Sequence, residues 1–400
     1  MSKERTPVIV SAARTAIGSF GGTLSKTPAT ELGAVAIRAA VERAGIDPGV
    51  IDEVFMGSVV PAGLGQAPAR QASIKAGIPA HVGAVTLNKV CGSGLKTAMM
   101  AAGLVKAGDG DIYVAGGMEN MNQAPYLLQQ GRAGYRLGHG ELLDACVHDG
   151  LWCAFEDQHM GLAAEWIAEE YGVSREEQDQ FALESHQKAV AAQDAGRFAD
   201  EIVPIEIPQR KRDPLVFDTD ETPRRDSSLE KLARLRPVFK KDGSVTAGNA
   251  SAITDGAAAV VVMSQAKADE LEVRPLARIT GYAYGAVEPI EIFTAPAFAL
   301  RNLMQKNGTT LADYDLFELN EAFAAQCLGD GKILADEGWD WDKVNVNGGA
   351  IALGHPIGCS GTRVLVTLLY ALRQRGLKTG IASLCLGGGE AVAMSVEMVD

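Results

Sequence analysis

Residues 85–108 read VTLNKVCGSGLKTAMMAAGLVKAG, and residues 344–376 read VNVNGGAIALGHPIGCSGTRVLVTLLYALRQRG. Each predicts a strand, a glycine-rich corner and a helix, the first closed by Gly108. Working outward, ELGAVAIRAAVERAG (31–45) puts Leu32, Val35, Ala36 and Ala39 on one helical face and stops at Gly45. DEVFMGSVV (52–60) is β-rich around Val54 and Phe55, and DIYVAGGMEN (111–120) predicts a buried strand running into glycines. The second half repeats the order. APAFALRNLMQKNG (295–308) is a helix, YDLFELN (314–320) a strand, and IASLCLGGGEAVAM (381–394) another apolar strand running into glycines. Pairing Asp52 with Asp315, Cys91 with Cys359 and Gly116 with Gly387 gives offsets of 263, 268 and 271. A nearly constant shift predicts a duplicated α/β fold, two similar halves with mixed sheets covered by helices.

At 400 residues the chain is long enough for two or three domains. Residues 1–123 with 254–275 form one half and 276–400 the other. Residues 124–253 differ in composition, with long polar helices and Pro-rich loops, and are expected to form an inserted loop domain. Ser174-Arg175-Glu176-Glu177 is a capping box that opens a helix running to about Gly196. Within 210–241 ten basic and six acidic residues make a segment of +4 in a chain of net charge −13. That segment is read as either a solvated face or a docking surface for a phosphorylated ligand.

The acidic balance argues against a nucleic-acid or membrane-surface partner. No apolar run approaches the ~20 residues that span a bilayer, and the first 20 residues carry no secretory core, so a cytoplasmic protein is expected. Six cysteines without a C-x-x-C, and scattered histidines, make neither a disulfide scaffold nor a metal site. No P-loop or dinucleotide fingerprint is present. What remains is side-chain chemistry on a substrate that carries its own activation.

Four residues lie at the predicted corners and strand ends. Cys91, followed by Gly-x-Gly, sits where a helix N-terminus and backbone N–H groups would lower a thiol pKa, although a lone cysteine is more often a small buried hydrophobe. His355, pinned by Pro356 in the equivalent corner, suits a base or an oxyanion donor. Cys385 precedes Gly387, Gly388 and Gly389, whose N–H groups could face a ligand. Were it to exchange a substrate proton near neutral pH, a thiol pKa moderately below ~8.5 would be expected. Asn320 ends a strand beside Glu321, where a capping role is the plain alternative. Two thiols, an imidazole and an amide suit acyl transfer followed by carbon–carbon chemistry.

NKVCGSGLKT, NVNGGAIALGHPIGCSGTR, the C-x-G-G-G of SLCLGGG and NEAF occur in the order of four signatures of the thiolase family, and the chain resembles that family over essentially its whole length. The resemblance implies a five-layer fold of duplicated αβα halves with an inserted loop domain. It implies Cys91 as the acylated nucleophile, His355 as its activator and Cys385 as the acid/base. Asn320 would hold a water that forms one oxyanion hole with His355; the N–H groups of Cys91 and Gly387 would form the other. LRPVFK and VTAGNAS resemble the family's pantetheine-binding stretch and implicate Phe239, Ala247 and Ser251. His159 and Met160 in QHMG, and Phe323, resemble tunnel walls, and Arg224 a residue near the adenine. The expected chemistry is reversible condensation of two acetyl-CoA to acetoacetyl-CoA and CoA. No resident cofactor or metal is needed, and the assembly is expected to be a homodimer or homotetramer. The alternatives are a broad-chain 3-ketoacyl-CoA thiolase of fatty-acid β-oxidation and, remotely, a noncatalytic acyl-CoA-binding subunit. One departure stands out: Ile292-Phe293-Thr294-Ala295-Pro296 replaces the Met-Gly-x-Gly-Pro of many thiolases, in a form that resembles some short-chain members.

Overall fold

A computed structural model describes residues 3–399 of the chain; Met1, Ser2 and Asp400, which begin and end the two expected halves, lie outside the described residues. The main strands are β1 (Pro7–Thr15), β2 (Glu53–Gly57), β3 (Gly83–Leu87), β4 (Ile112–Asn120), β5 (Thr254–Ser264), β6 (Ala277–Ala286), β7 (Leu316–Leu319), β8 (Thr379–Leu386) and β9 (Glu390–Met398). They lie in the order β7-β8-β9-β6-β1-β5-β4-β2-β3. This is two half-sheets joined edge to edge where β1 meets β6, through the pairs Val8 with Arg278 and Ile9 with Ala277.

Helices α1 (Ala29–Ala44), α2 (Ser93–Ala107), α5 (Ala295–Asn307) and α7 (Ile357–Arg375) cover the half-sheets. Strand alternation decides which faces they meet. On β5, Ala257, Ala259, Val261 and Met263 pack in the core of α1, whereas Ala258, Val260 and Val262 turn to the core of α2 and α7. On β9, Val392, Met394 and Val396 enter that same middle core, and Ala391 and Ala393 pack with Leu300 and Leu303 of α5. The layers are therefore α1, half-sheet, α2 with α7, half-sheet, α5. This is the expected five-layer arrangement. Because α7 lies in the central layer, every residue from Ile357 to Leu372 is buried, Arg363 included.

Two expectations need correction. The strand expected at VNVN does not form; Val344 makes an isolated bridge to Phe317. Asn345 takes φ 46° and uses its side-chain amide in place of a backbone ladder, accepting from Leu319 N at 2.9 Å and donating to Leu319 O at 2.8 Å. The second half thus lacks a counterpart of β3. The Gly116–Gly387 pairing is also out of register. Asp52 Oδ2 accepts from the amides of Asp111 and Ile112 at 2.7 and 2.8 Å. Asp315 Oδ2 accepts from those of Lys378 and Thr379, both at 2.9 Å. These contacts align 111 with 378 and 112 with 379, an offset of 267. Gly116 then lies mid-strand in β4, and Gly387 lies beyond the end of β8.

Residues 124–253 carry α3 (Met160–Glu170) and α4 (Arg175–Asp194), with α6 (Ala324–Leu334) of the second half packed nearby. Helix α4 opens with the expected capping box from Ser174 to Glu177. A buried Arg14 fastens this excursion to β1 through Glu201 at 2.7 Å and Asp220 at 2.8 and 2.9 Å. Among the described residues, no helix is long and apolar enough to cross a membrane.

Candidate active site

The first corner is a strained elbow. Val90 has φ 45°, a conformation that a β-branched residue avoids unless its surroundings impose it. Here they do. Asn88 Oδ1 accepts from Val90 N at 2.9 Å. Ser93 Oγ accepts from Lys89 N at 2.8 Å and donates to Val90 O at 2.6 Å. The turn places Cys91 just ahead of α2. The Cys91 sulfur lies within hydrogen-bonding reach of its own amide and that of Gly387. A Cβ on Gly92 would run into the Leu386 side chain, so the elbow packs closely against the end of β8.

The second corner holds His355, whose amide donates to Ala252 O at 3.1 Å. Ser360 Oγ lies 2.6 Å from His355 Nδ1 and 3.0 Å from Pro356 O. A carbonyl can only accept, so the hydroxyl proton goes to Pro356, and Nδ1 must donate to Ser360. Nε2 therefore carries a lone pair, and it has no hydrogen-bond partner among the described residues. Burial holds the His355 ring neutral, with its pKa pushed down to about 3, and the Arg363 charge adds to this. Glu119, buried at the end of β4, accepts from Val59 N and Gly358 N at 2.8 and 2.9 Å and so ties the start of α7 to the first half. Burial raises its carboxyl to about 7 against the pull of these donors.

Both thiol expectations are overturned. Burial pushes Cys91 up to about 12, outweighing its own and the Gly387 N–H groups. Although the side chain is partly open to the cavity, the surrounding protein keeps it far from bulk water. Burial, with the nearby Cys91 thiol and Asp330, also raises Cys385 well above the usual thiol range. The resting site is a neutral Cys–His pair with a protonated second thiol.

Cys91, His355, Cys385 and Gly387 line one cavity of about 700 Å³, together with His159, Met160, Arg224, Phe239, Ala247, Ser251 and Phe323. Asn320 does not line it. It is fully buried, and its Oδ1 and Nδ2 have no partner among the described residues. Burial holds the neighbouring Glu321 carboxyl above the usual range; it accepts from Ser185, Asn345 and Ile351, which pull the other way.

An aromatic wall runs along the cavity. His159 stacks on Phe239 at 4.6 Å, Phe239 meets Phe323 edge-on at 6.2 Å, and Phe323 meets Phe293 edge-on at 5.2 Å. The basic segment contributes less than its charge suggested. Arg224 reaches the cavity, but Arg225, Lys231, Arg234 and Lys240 pair with Asp194, Asp226, Glu230 and Glu169. Sequence reading missed Ser360, Glu119, Phe20 at the cavity mouth, and His186, whose Nδ1 accepts from Arg224 N at 3.2 Å. A charged residue inside the apolar AGGMEN strand was an available signal for Glu119.

The duplicated fold and the cavity holding two thiols and an imidazole define a thiolase. The chain matches the thiolase N-terminal domain over residues 7–266 and the C-terminal domain over residues 273–398, and it belongs to the thiolase family. It is 57% identical over 389 residues to an acetyl-CoA acetyltransferase of Pseudomonas aeruginosa, covering 97% of this chain and 98% of that one. An acetyl-CoA acetyltransferase of Cupriavidus necator is 56% identical over 390 residues, with 98% of each chain covered. The crystal structure of the Bacillus anthracis acetyl-CoA acetyltransferase superposes with a TM-score of 0.96 at 45% identity, covering 98% of this chain and 99% of that one.

Proposed function

We infer that this thiolase condenses two acetyl-CoA to acetoacetyl-CoA and CoA, reversibly, through an acetyl-Cys91 intermediate. It is an acyltransferase with acetyl-CoA C-acetyltransferase activity. The observation that carries this is the placement of Cys91, Cys385 and the unpaired Nε2 of His355 around one deep cavity. The names of the P. aeruginosa and C. necator relatives support the acetyl specificity over the broad-chain alternative.

The neutral resting state fits a stepwise course. Cys91 Sγ attacks the thioester carbonyl carbon as His355 Nε2 takes its proton. The carbon–sulfur bond to CoA breaks, and Cys385 protonates the departing sulfur, becoming a thiolate. That thiolate then removes a methyl proton from the second acetyl-CoA. The new carbanion attacks the acetyl carbonyl, the bond to Cys91 breaks, and the imidazolium returns its proton to Cys91. Amides of Cys91 and Gly387 are suited to the oxyanion of the acylated thiol. His355 and Asn320, the latter through a water, are suited to the enolate oxygen. Preorganised donors of this kind are each worth roughly 3–4 kcal/mol.

Phe239, Ala247, Ser251, Met160 and His159 are proposed to line the pantetheine path, and Arg224 to meet the nucleotide end. We also propose that residues 124–253 act as the loop domain that presents CoA, between halves formed by 1–123 with 254–275 and by 276–400. An assembly of two or four copies accords with β3, which ends the sheet and exposes Val85. The test is to supply the purified chain with acetyl-CoA and, separately, acetoacetyl-CoA plus CoA. Formation of acetoacetyl-CoA and its thiolysis are expected. Tight CoA binding without turnover in either direction would favour the noncatalytic subunit.

A further inference from the structure

We propose that Phe293, with Ile292 beside it, sets the acyl length that this site accepts, limiting the group carried on Cys91 to acetyl. The proposal rests on the thiolase reading of the cavity. Ile292 and Phe293 line the same cavity as both catalytic thiols, and they are buried in one apolar cluster with Cys385 and Phe323. In thiolysis, the group beyond the 3-keto carbon ends on Cys91, so it must fit between that sulfur and this wall.

The wall has little room to withdraw. Phe293 is backed edge-on by Phe323. Its turn, Pro289–Thr294, is closed by Thr294 Oγ1 donating to Glu291 O at 2.9 Å. The next residues are pinned by Ala297 N donating to Asp330 Oδ1 at 3.2 Å, and Asp330 is fixed by Gln326 Nε2 at 2.8 Å. On the strand side, a Cβ on Gly285 would run into Ala295 O, and one on Gly389 would stand 2.6 Å from Val287 O. The residues on either side of the turn are therefore packed directly against β6 and against the glycines that follow Cys385. An added methylene facing such a wall is discriminated by roughly 10–200-fold, because neither partner can yield.

The experiment measures kcat/KM for thiolysis of 3-ketoacyl-CoA substrates of four, six and eight carbons, with the unaltered chain, Phe293→Ala, Phe293→Leu and Ile292→Ala. The unaltered chain should prefer four carbons over six by at least about tenfold. Phe293→Ala should raise the six-to-four ratio by a similar factor, with Phe293→Leu between the two. The leucine variant keeps most of the buried volume, so it carries the test if the alanine variant fails to fold. Ile292→Ala should raise the ratio less. An unchanged ratio in the folded Phe293 variants overturns the role of Phe293 while leaving the thiolase activity standing. An unaltered chain that cleaves eight carbons as well as four also overturns it. Absence of thiolysis on every substrate would instead sink the activity reading, and this inference with it.

Discussion

Gly94 and Gly361 lie 267 residues apart, and each abuts the residue that follows the other: Gly94 faces Thr362, and Gly361 faces Leu95. This is the reciprocal contact expected across a two-fold relation. It brings α2 and α7 together one turn below the corners that carry Cys91 and His355. A Cβ on Gly94 would stand 2.7 Å from Thr362 N, and one on Gly361 would overlap Leu95 N. Backbone cannot move aside as a side chain does. Gly361→Ala is expected to lower stability by about 1–3 kcal/mol or more and to reduce activity even where the chain remains folded, because it would part the Cys91 corner from the His355 corner. Denaturant melts alongside acylation rates check this. A variant acylated at the normal rate would detach the crossing from the site.

Ser360 is expected to act through His355 and not on substrate. Ser360→Ala removes the acceptor that holds the proton on Nδ1, so part of the enzyme would hold the other tautomer, with the proton on Nε2 and no lone pair there. Acylation should slow by on the order of tenfold to a hundredfold, less than the 10²–10⁴-fold expected for losing the base itself, with KM for acetyl-CoA little changed. Ser360→Thr should restore much of the rate. A fall in KM and kcat together, or no rescue by threonine, would point to packing alone.

The site was legible in the sequence where chemistry and backbone demand coincide. Cys91, His355 and Cys385 each stand beside glycines that a tight corner needs. The repeat was legible too, because buried strands and glycine-stopped helices recur in order. Register was not: Gly116 and Gly387 both follow an apolar run, but the paired hydrogen bonds of Asp52 and Asp315, like the Gly94–Gly361 contact, give a different offset. The strand at Val344 failed because Asn345 uses its side chain where β-propensity assumes backbone. Thiol pKa values were misread because helix ends and N–H donors are local, whereas the burial that outweighs them comes from the whole fold.

His355 makes stability fall on the acid side. The unfolded chain protonates it near pH 6.5, the folded chain only near 3. Its contribution is thus fully present above pH 6.5 and is lost as pH falls towards 3, with a limiting slope of about 1.4 kcal/mol per pH unit. His355→Asn removes the titrating group. Unfolding free energies measured from pH 7 to 4 should show the unaltered chain losing stability faster than the variant. Parallel curves would mean that the buried ring is not held neutral.

The two thiols are separated by what each variant can still do. Acetyl-CoA alone should add one acetyl to the peptide containing Cys91, and Cys91→Ala should abolish both half-reactions. Cys385→Ala leaves Cys91, His355 and the Gly387 amide in place, so the acetyl-enzyme should still form, at least in part, with CoA leaving as its thiolate. Condensation needs a base for the methyl proton, and alanine supplies none. The loss should be on the order of 10²–10⁴-fold, and exchange of acetyl-CoA methyl protons into deuterium oxide should vanish with it. Mass spectrometry that placed the acetyl on Cys385 would reverse the assignment. Near-normal condensation by Cys385→Ala would leave His355 as the sole acid/base, and the raised thiol at the end of β8 would be a packed strand residue without a part in the proton transfer.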